Sequence, residues 1–485
     1  MLASIYAVAM AILVLYGVNL LFLSLVFVRY DKMRRRKTVL PRNGTSWPVV
    51  TVQVPLYNEA LVAGRIIDAV AHLDYPRKCL EIQILDDSTD DSSAIIAQRV
   101  HHWQKRGVDI AHIRRAKRKG YKAGALAHGL KRSRGTFVAM FDADFVPQPD
   151  FLHRMLPAFD RPDIGMVQAR WGHLNAKTSW LTRLQAFALD GHFALEQAAR
   201  HAGGYFMSFN GTAGIWRRAC IEDAGGWQSS TLTEDLDLSY RAQLRGWRFR
   251  FMSDIETCAE LPQDINAWRA QQFRWTKGTA ETAILLLRRL WRSRQPLPIK
   301  IQGTLHLTAH SVFPFLVVVT LLHAPLLIME GAGYGPGSWY FAIMGLSLTG
   351  LMGFFLAQML AQRALYPDWG RRILFFPMVM AGTMGMAVSN TRAIWQALRQ
   401  HRTPFERTPK HTDKPWWQSR YAQRTINPAT FGEALLALYS IVGLGALVWI
   451  GAWAAVPFQT VFALAFTFVS CWNILQIRRT RTQIA

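Results

Sequence analysis

Thr136-Phe137-Val138-Ala139-Met140-Phe141 is an apolar run that stops at Asp142-Ala143-Asp144. A short apolar run of this kind suits a strand covered on both faces, and the two carboxylates follow it directly. Two upstream stretches repeat the pattern. The β-branched run 49–54 leads into Pro55-Leu56-Tyr57-Asn58-Glu59, and Glu81-Ile82-Gln83-Ile84-Leu85 leads into Asp86-Asp87-Ser88-Thr89-Asp90. Between the first two strands a helical pattern runs to about residue 73. Strands alternating with helices from about 45 to 260 predict an α/β domain with a largely parallel sheet. In such sheets ligands bind beyond the carboxyl ends of the strands, where all three polar clusters fall.

Each cluster suggests a chemistry. Asp142 and Asp144 are two residues apart at a strand exit, so both carboxylates share a face and can converge on one hard divalent cation. Such an ion would bridge the phosphates of a nucleotide diphosphate and neutralise the leaving group; a solvated turn is the competing reading. Lys117-Arg118-Lys119-Gly120-Tyr121-Lys122-Ala123-Gly124-Ala125 is a basic, glycine-punctuated lead-in to a helix. It suits pyrophosphate, or is a solvated basic loop. Thr233-Glu234-Asp235-Leu236-Asp237 opens another helical pattern. Asp235 is the candidate base that deprotonates an attacking hydroxyl, while Glu234 or Asp237 could instead serve the helix macrodipole. Gln271, Arg274 and Trp275 are spaced i, i+3, i+4 and project from one helix face. Arg suits phosphate and Trp a sugar ring, although an interfacial helix anchored by its Trp carries the same pattern.

The chain has 485 residues, 51% of them hydrophobic, and a formal net charge of +24. The densest basic runs sit beside apolar spans or inside the α/β region, and no nucleic-acid module accompanies them, so nucleic acid is excluded as a partner. Cys79, Cys220, Cys258 and Cys471 have no metal-type spacing and predict no disulfide framework. About 20 apolar residues cross a bilayer as a helix. The segments 5–27, 305–329, 338–361, 433–452 and 457–476 meet that standard, the first as a retained span. Segment 373–396 is apolar but carries Ser389, Asn390 and Arg392. If it crossed fully, the basic stretch 399–424 and the basic C-terminus would lie outside, against the positive-inside rule. Five crossings are expected, with 373–396 interfacial or re-entrant and both the α/β domain and the C-terminus cytoplasmic, in a bacterial-type inner membrane. Amphipathic stretches 178–200 and 264–295 are read as lying on the membrane. The glycine-rich 331–337 follows no strand and opens no helix, so it is read as an external turn.

Taken in order, D-D-S, D-A-D, T-E-D and Q-Q-F-R-W resemble the processive inverting family 2 glycosyltransferases, which include cellulose, hyaluronan and chitin synthases. P-L-Y-N-E, Asn210-Gly211-Thr212-Ala213-Gly214 and T-E-D-L-D-L-S-Y look most like the cellulose-synthase-like mannan and glucan backbone synthases. The resemblance covers roughly 45–300 and the span layout. It implies a GT-A-like nucleotide-sugar-binding domain at 45–300, between an N-terminal helix and linker (1–44) and a C-terminal membrane region (301–485). Glu59, Asp86 and Asp87 would contact the nucleoside, Lys122 the diphosphate, and Asp142 and Asp144 the donor with Mg2+ or Mn2+. Asp235, beside Glu234, would be the base. Gln271, Arg274 and Trp275 would position diphosphate and acceptor sugar. Phe405-Glu406-Arg407-Thr408-Pro409-Lys410 is similar to an F-x-V-T-x-K gating loop, with Arg407 in the valine position, and would bring Thr408 and Lys410 over the nucleotide (403–412).

The expectation is a membrane enzyme that extends and translocates a β-linked polysaccharide from a nucleotide sugar, UDP-glucose slightly before GDP-mannose. A single-transfer enzyme with a lipid acceptor and an inactive nucleotide-binding membrane component are the competing classes.

Overall fold

The computed structural model describes residues 1–34, 47–335, 337–401, 403 and 427–482. The gating-loop-like segment 403–412 lies outside these apart from Thr403, and so do Thr408 and Lys410.

Seven strands form one sheet: β1 Val50–Leu56, β2 Leu80–Asp86, β3 Ile110–Arg114, β4 Phe137–Met140, β5 Ile164–His173, β6 Gly214–Arg217 and β7 Arg248–Ala259. Their order is β3-β2-β1-β4-β6-β5-β7. The β1–β2, β1–β4, β2–β3 and β5–β7 pairs are parallel, and β6 runs against both neighbours. A parallel-rich sheet is as expected, with one strand reversed. Alternate residues feed two cores, as helices on both faces require. Val50, Val52, Val54, Ile82 and Ile84 pack with Ile66 and Val70 of helix Ala63–Ala71 and Val100 of helix Ser92–Gln104. Leu85, Val138 and Met140 pack on the other side with Leu126 of helix Tyr121–Leu130. Between the strands, Gln53 Nε2 donates to the buried Gln83 Oε1 at 3.0 Å.

Four described helices are long and apolar enough to cross a membrane: Leu2–Arg29, Ala309–Gly331, Ala429–Trp449 and Val456–Gln476. The expected span 338–361 lies in helix Ser338–Leu365, which packs along the first helix. There Gly17 and Gly350 meet so closely that a Cβ on Gly17 would lie 2.2 Å from Gly350 Cα. Small residues at such a crossing let two backbones approach. Segment 373–396 is broken, with helices Trp369–Gly385 and Ala387–Leu398 meeting at a 42° bend.

The amphipathic stretch 178–200 is covered by protein over most of its apolar face. Leu181, Leu184 and Phe187 pack against Phe376 and Val379, while Leu195 is buried in the α/β core. Trp180 stays half exposed and stacks on Phe375. A length of apolar face read from one helix does not say whether lipid or a neighbouring helix covers it. Helix Ile265–Arg292 spans most of the second stretch, 264–295. Its Arg269 forms a fully buried pair with Glu433 of helix Ala429–Trp449 at 2.5 Å, which ties the α/β domain to the membrane region.

Candidate active site

Strands β2, β1 and β4 are parallel neighbours, so Asp86-Asp87, Tyr57-Asn58-Glu59 and Asp142-Ala143-Asp144 leave the sheet at one edge. The loops are tied together there. Asp87 N–H donates to Leu56 O at 3.0 Å, and Asn58 N–H to Ser88 Oγ at 2.9 Å. Reversal of β6 adds a fourth segment. An antiparallel strand presents its beginning where its neighbours present their ends, so Asn210-Gly211-Thr212 arrives at the same edge. Thr212 Oγ1 accepts from Asp142 N–H at 2.9 Å. Three of the four described non-glycine residues with positive φ, Asn58, Tyr121 and Ala213, lie in or beside these loops. Such backbone persists where surrounding contacts over-determine it, often at functional sites.

The loops enclose an open cleft of about 1300 Å³, lined by Glu59, Asp87, Lys122, Asp142, Asp144, Glu234, Asp235, Gln271, Arg274 and Trp275 among others. Ten sequence candidates therefore meet in one place. Asp86 is the described candidate that does not. It is 1% exposed, and its carboxylate accepts from Ser88 N–H at 2.8 Å, Ser93 Oγ at 2.7 Å and His112 Nε2 at 2.8 Å. Burial alone would raise its pKa, but the bonds from His112, Ser93 and Ser88 override it and hold the carboxyl well below the usual range. Its place is under the site, shaping the loop that carries Asp87. Asp237 is likewise turned inward, paired with Arg241 at 2.7 Å.

Asp87 faces the cleft but is gripped by both arms of Arg115, with Nε to Oδ1 at 2.9 Å. Arg118 stacks on Tyr57, 3.4 Å from the ring centroid. Lys122, in the first turn of its helix, donates to Asp142 Oδ1 at 2.5 Å and to Gly211 O at 2.9 Å. Gly211 has φ +81°, and a Cβ there would lie 2.9 Å from Asp235 Oδ2. Asp235 Oδ1 accepts from Leu236 N–H at 2.8 Å. Withdrawal from water and the adjacent Glu234 push its carboxyl up to about 7, against the pull of Lys122. Burial raises Glu234 as well. Arg274 feels Glu234, Asp142, Asp235 and Asp144 in that order after its own burial, so its guanidinium stands among all four.

Seven carboxylates line the cleft with three cationic side chains, Arg118, Lys122 and Arg274. An anionic diphosphate enters such a cleft only with cations of its own. No group of three or more His, Cys, Asp or Glu able to hold a metal exists among the described residues. Asp142 and Asp144 are the two carboxylates there that could hold a divalent ion.

The roles of Arg115 and the Asn210-Gly211-Thr212 loop were not read from sequence, and Arg118 was read only as part of a basic stretch. The loop stood out as a phrase, but strand direction decides where it points.

The sequence profile "Glycosyltransferase like family 2" matches residues 48–278, which hold the sheet and most of the cleft. Residues 48–278 are a family 2 glycosyltransferase domain. A glucomannan 4-beta-mannosyltransferase of Arabidopsis thaliana is 46% identical over 241 residues, covering 49% of this chain and 45% of that protein. One of Oryza sativa subsp. japonica is 42% identical over 261 residues, 53% and 50% of the two chains. The chain spans about half the length of these relatives. A mannosyltransferase from Pyrobaculum calidifontis, solved with GDP-Man and Mn2+, superimposes with a TM-score of 0.54 at 20% identity, over 83% of this chain and all of that one. This likeness places the glycosyltransferase domain in the GT-A fold.

Proposed function

We propose that this chain transfers a hexose from a nucleoside-diphosphate sugar to a β-linked polysaccharide, with inversion, in repeated cycles at a membrane. The observation that carries the proposal is the convergence of Asp142, Asp144, Asp235 and Arg274 on one cleft. Residues 45–300 are the catalytic domain, and 1–44 and 301–485 anchor it. The proposed topology has five crossings with the domain and C-terminus cytoplasmic, and passes the product outward.

Asp235 takes the proton of the acceptor hydroxyl as its oxygen forms a bond to the anomeric carbon. The bond from that carbon to the phosphate oxygen breaks, and its electron pair leaves with the diphosphate. A carboxyl with a pKa near 7 is matched to this task at neutral pH. Lys122 and Arg274 stand where the leaving phosphates gain charge, and Trp275 offers a flat face to the acceptor ring. A divalent ion on Asp142 and Asp144 would supply further neutralisation of the leaving group.

The sequence lean toward UDP-glucose finds no support in the relatives, whose names are mannosyltransferases; GDP-mannose is the donor we propose first. The test is to incubate the purified full chain with each radiolabelled donor and Mg2+ or Mn2+, then digest the product with β-mannanase and β-glucanase. Polymer from GDP-mannose that only the mannanase degrades is expected. No incorporation from either donor would sink the proposal, and a single-sugar lipid product would replace it with the non-processive alternative.

A further inference from the structure

Residues 224–233, which lead to the proposed base Asp235, lie in no helix or strand. Thr233 stands at the N-cap of helix Glu234–Leu244, where a hydroxyl ordinarily accepts from a free N–H of the first turn and fixes how the chain enters. Its side chain makes no such bond. The Thr233 hydroxyl is turned instead to Thr282, with 3.3 Å between the two Oγ1 atoms, and Leu232 N–H donates to Glu281 Oε2 at 2.9 Å. Gly278 completes the contact. A Cβ there would lie 2.5 Å from Thr233 Cγ2 and 2.8 Å from Thr233 N, so only glycine lets the loop come this close. The loop is held from outside, where a cap would have held it from within.

The outside support is helix Ile265–Arg292, which also carries Gln271, Arg274 and Trp275. Along it, Gln271, Arg274, Trp275, Gly278, Glu281 and Thr282 recur at steps of three and four, which puts them in one stripe. The first half of the stripe lines the cleft, and the second half holds Leu232-Thr233. This part of the helix is itself pinned. Lys277, 1% exposed, donates to His401 O and to Thr403 Oγ1, and lies 3.7 Å from Glu281 Oε1. The ammonium therefore offsets the Glu281 charge and ties the helix to the chain that follows helix Ala387–Leu398.

A displacement in which one group takes a proton while another receives the leaving phosphate depends on the distance between the two. An α-helix is a stiff rod rising about 1.5 Å per residue, which puts Arg274 and Glu281 about 10 Å apart along it. With Arg274 on the rod and the loop of Asp235 fastened to it, that distance is set by one element. Neither Gly278 nor Glu281 lines the cleft, so any effect they have on the chemistry is transmitted through the loop.

We infer that Glu281 and Gly278 are positioning residues of the transfer, holding Leu232-Thr233 so that Asp235 keeps its place relative to Arg274. This rests on Asp235 as the base of the proposed reaction.

The test measures initial rates of the full chain in lipid nanodiscs with radiolabelled GDP-mannose and UDP-glucose. In Glu281→Ala, kcat falls about 10- to 100-fold while donor KM stays within about twofold. Glu281→Gln keeps an oxygen that accepts from Leu232 N–H and restores most of the turnover. Gly278→Ala repeats the loss without a change of charge. Added to Asp235→Asn, Glu281→Ala lowers the residual turnover by less than about twofold, because residues that act as a unit are not additive. Melting temperature identifies a variant that has merely unfolded; Gly278→Ala, alone and with Asp235→Asn, then decides. Wild-type kcat in folded variants, losses that multiply in the double variant, or a loss that appears as donor KM overturns the positioning role and leaves Asp235 as the base. Wild-type turnover in Asp235→Asn removes the base and this inference together.

Discussion

Lys122 Nζ sits 2.5 Å from Asp142 Oδ1 and 2.9 Å from Gly211 O, joining a helix start, a parallel strand end and the loop before the reversed strand. One ammonium thus bridges three segments far apart in the chain, in a cleft where carboxylates outnumber cations. Replacing it leaves Asp142 without its partner and the proposed diphosphate site without one of its three cations. In Lys122→Met, KM for the nucleotide sugar is expected to rise about 10- to 100-fold, the worth of one charge-assisted bond. Initial-rate kinetics at saturating metal measure this; an unchanged donor KM would remove Lys122 from the diphosphate site.

Asp235→Asn keeps the shape of the side chain and loses the proposed base. Turnover is expected to fall about 10²- to 10⁴-fold with donor binding retained. A carboxyl whose pKa is raised to about 7 is protonated, and inactive as a base, below that value. In the wild type kcat/KM therefore rises with pH through about 7, since this ratio reports the free enzyme. A profile flat from pH 5 to 8 would assign the base elsewhere.

Gly211 adopts φ +81°, and any Cβ there would press on Asp235 Oδ2 at 2.9 Å. Gly211→Ala strains the loop by about 1–3 kcal/mol and displaces Asp235. Activity should drop by at least about tenfold, with circular dichroism still showing a folded domain. Full activity in this variant would mean the loop does not set the position of Asp235.

Asp86 acts from beneath the site. Asp86→Ala leaves Ser88, Ser93 and His112 without a common acceptor inside the domain. A loss of about 2 kcal/mol in unfolding stability is expected, whereas Asp87→Ala, at the cleft surface, should change donor affinity more than stability. Denaturant titration and donor binding measured on both variants separate the two carboxylates.

Chelation tests the pair Asp142 and Asp144. EDTA should abolish incorporation, and excess Mn2+ or Mg2+ should restore it. Incorporation that survives exhaustive chelation would leave the cleft's surplus of carboxylates without the role argued for it.

Much was legible along the chain because some rules are local. An apolar run followed by carboxylates marks a buried strand and its exit, and i, i+3, i+4 spacing puts Gln271, Arg274 and Trp275 on one helix face whatever that helix touches. These patterns placed ten of the cleft's side chains before any contact was known. Other features depend on direction and neighbours, which one-dimensional patterns do not carry. The sense of β6 brings Asn210 and Gly211 to the edge that carries the cleft, two adjacent aspartates part because only Asp86 finds Ser93 and His112, and the apolar face of 178–200 meets Phe376 and Val379. Hydrophobicity and spacing specify that a residue will be buried or will face a strand end. Which partner it finds there is settled only when distant segments pack together, because hydrogen bonds and charge pairs act over a few ångströms of space and not along the sequence.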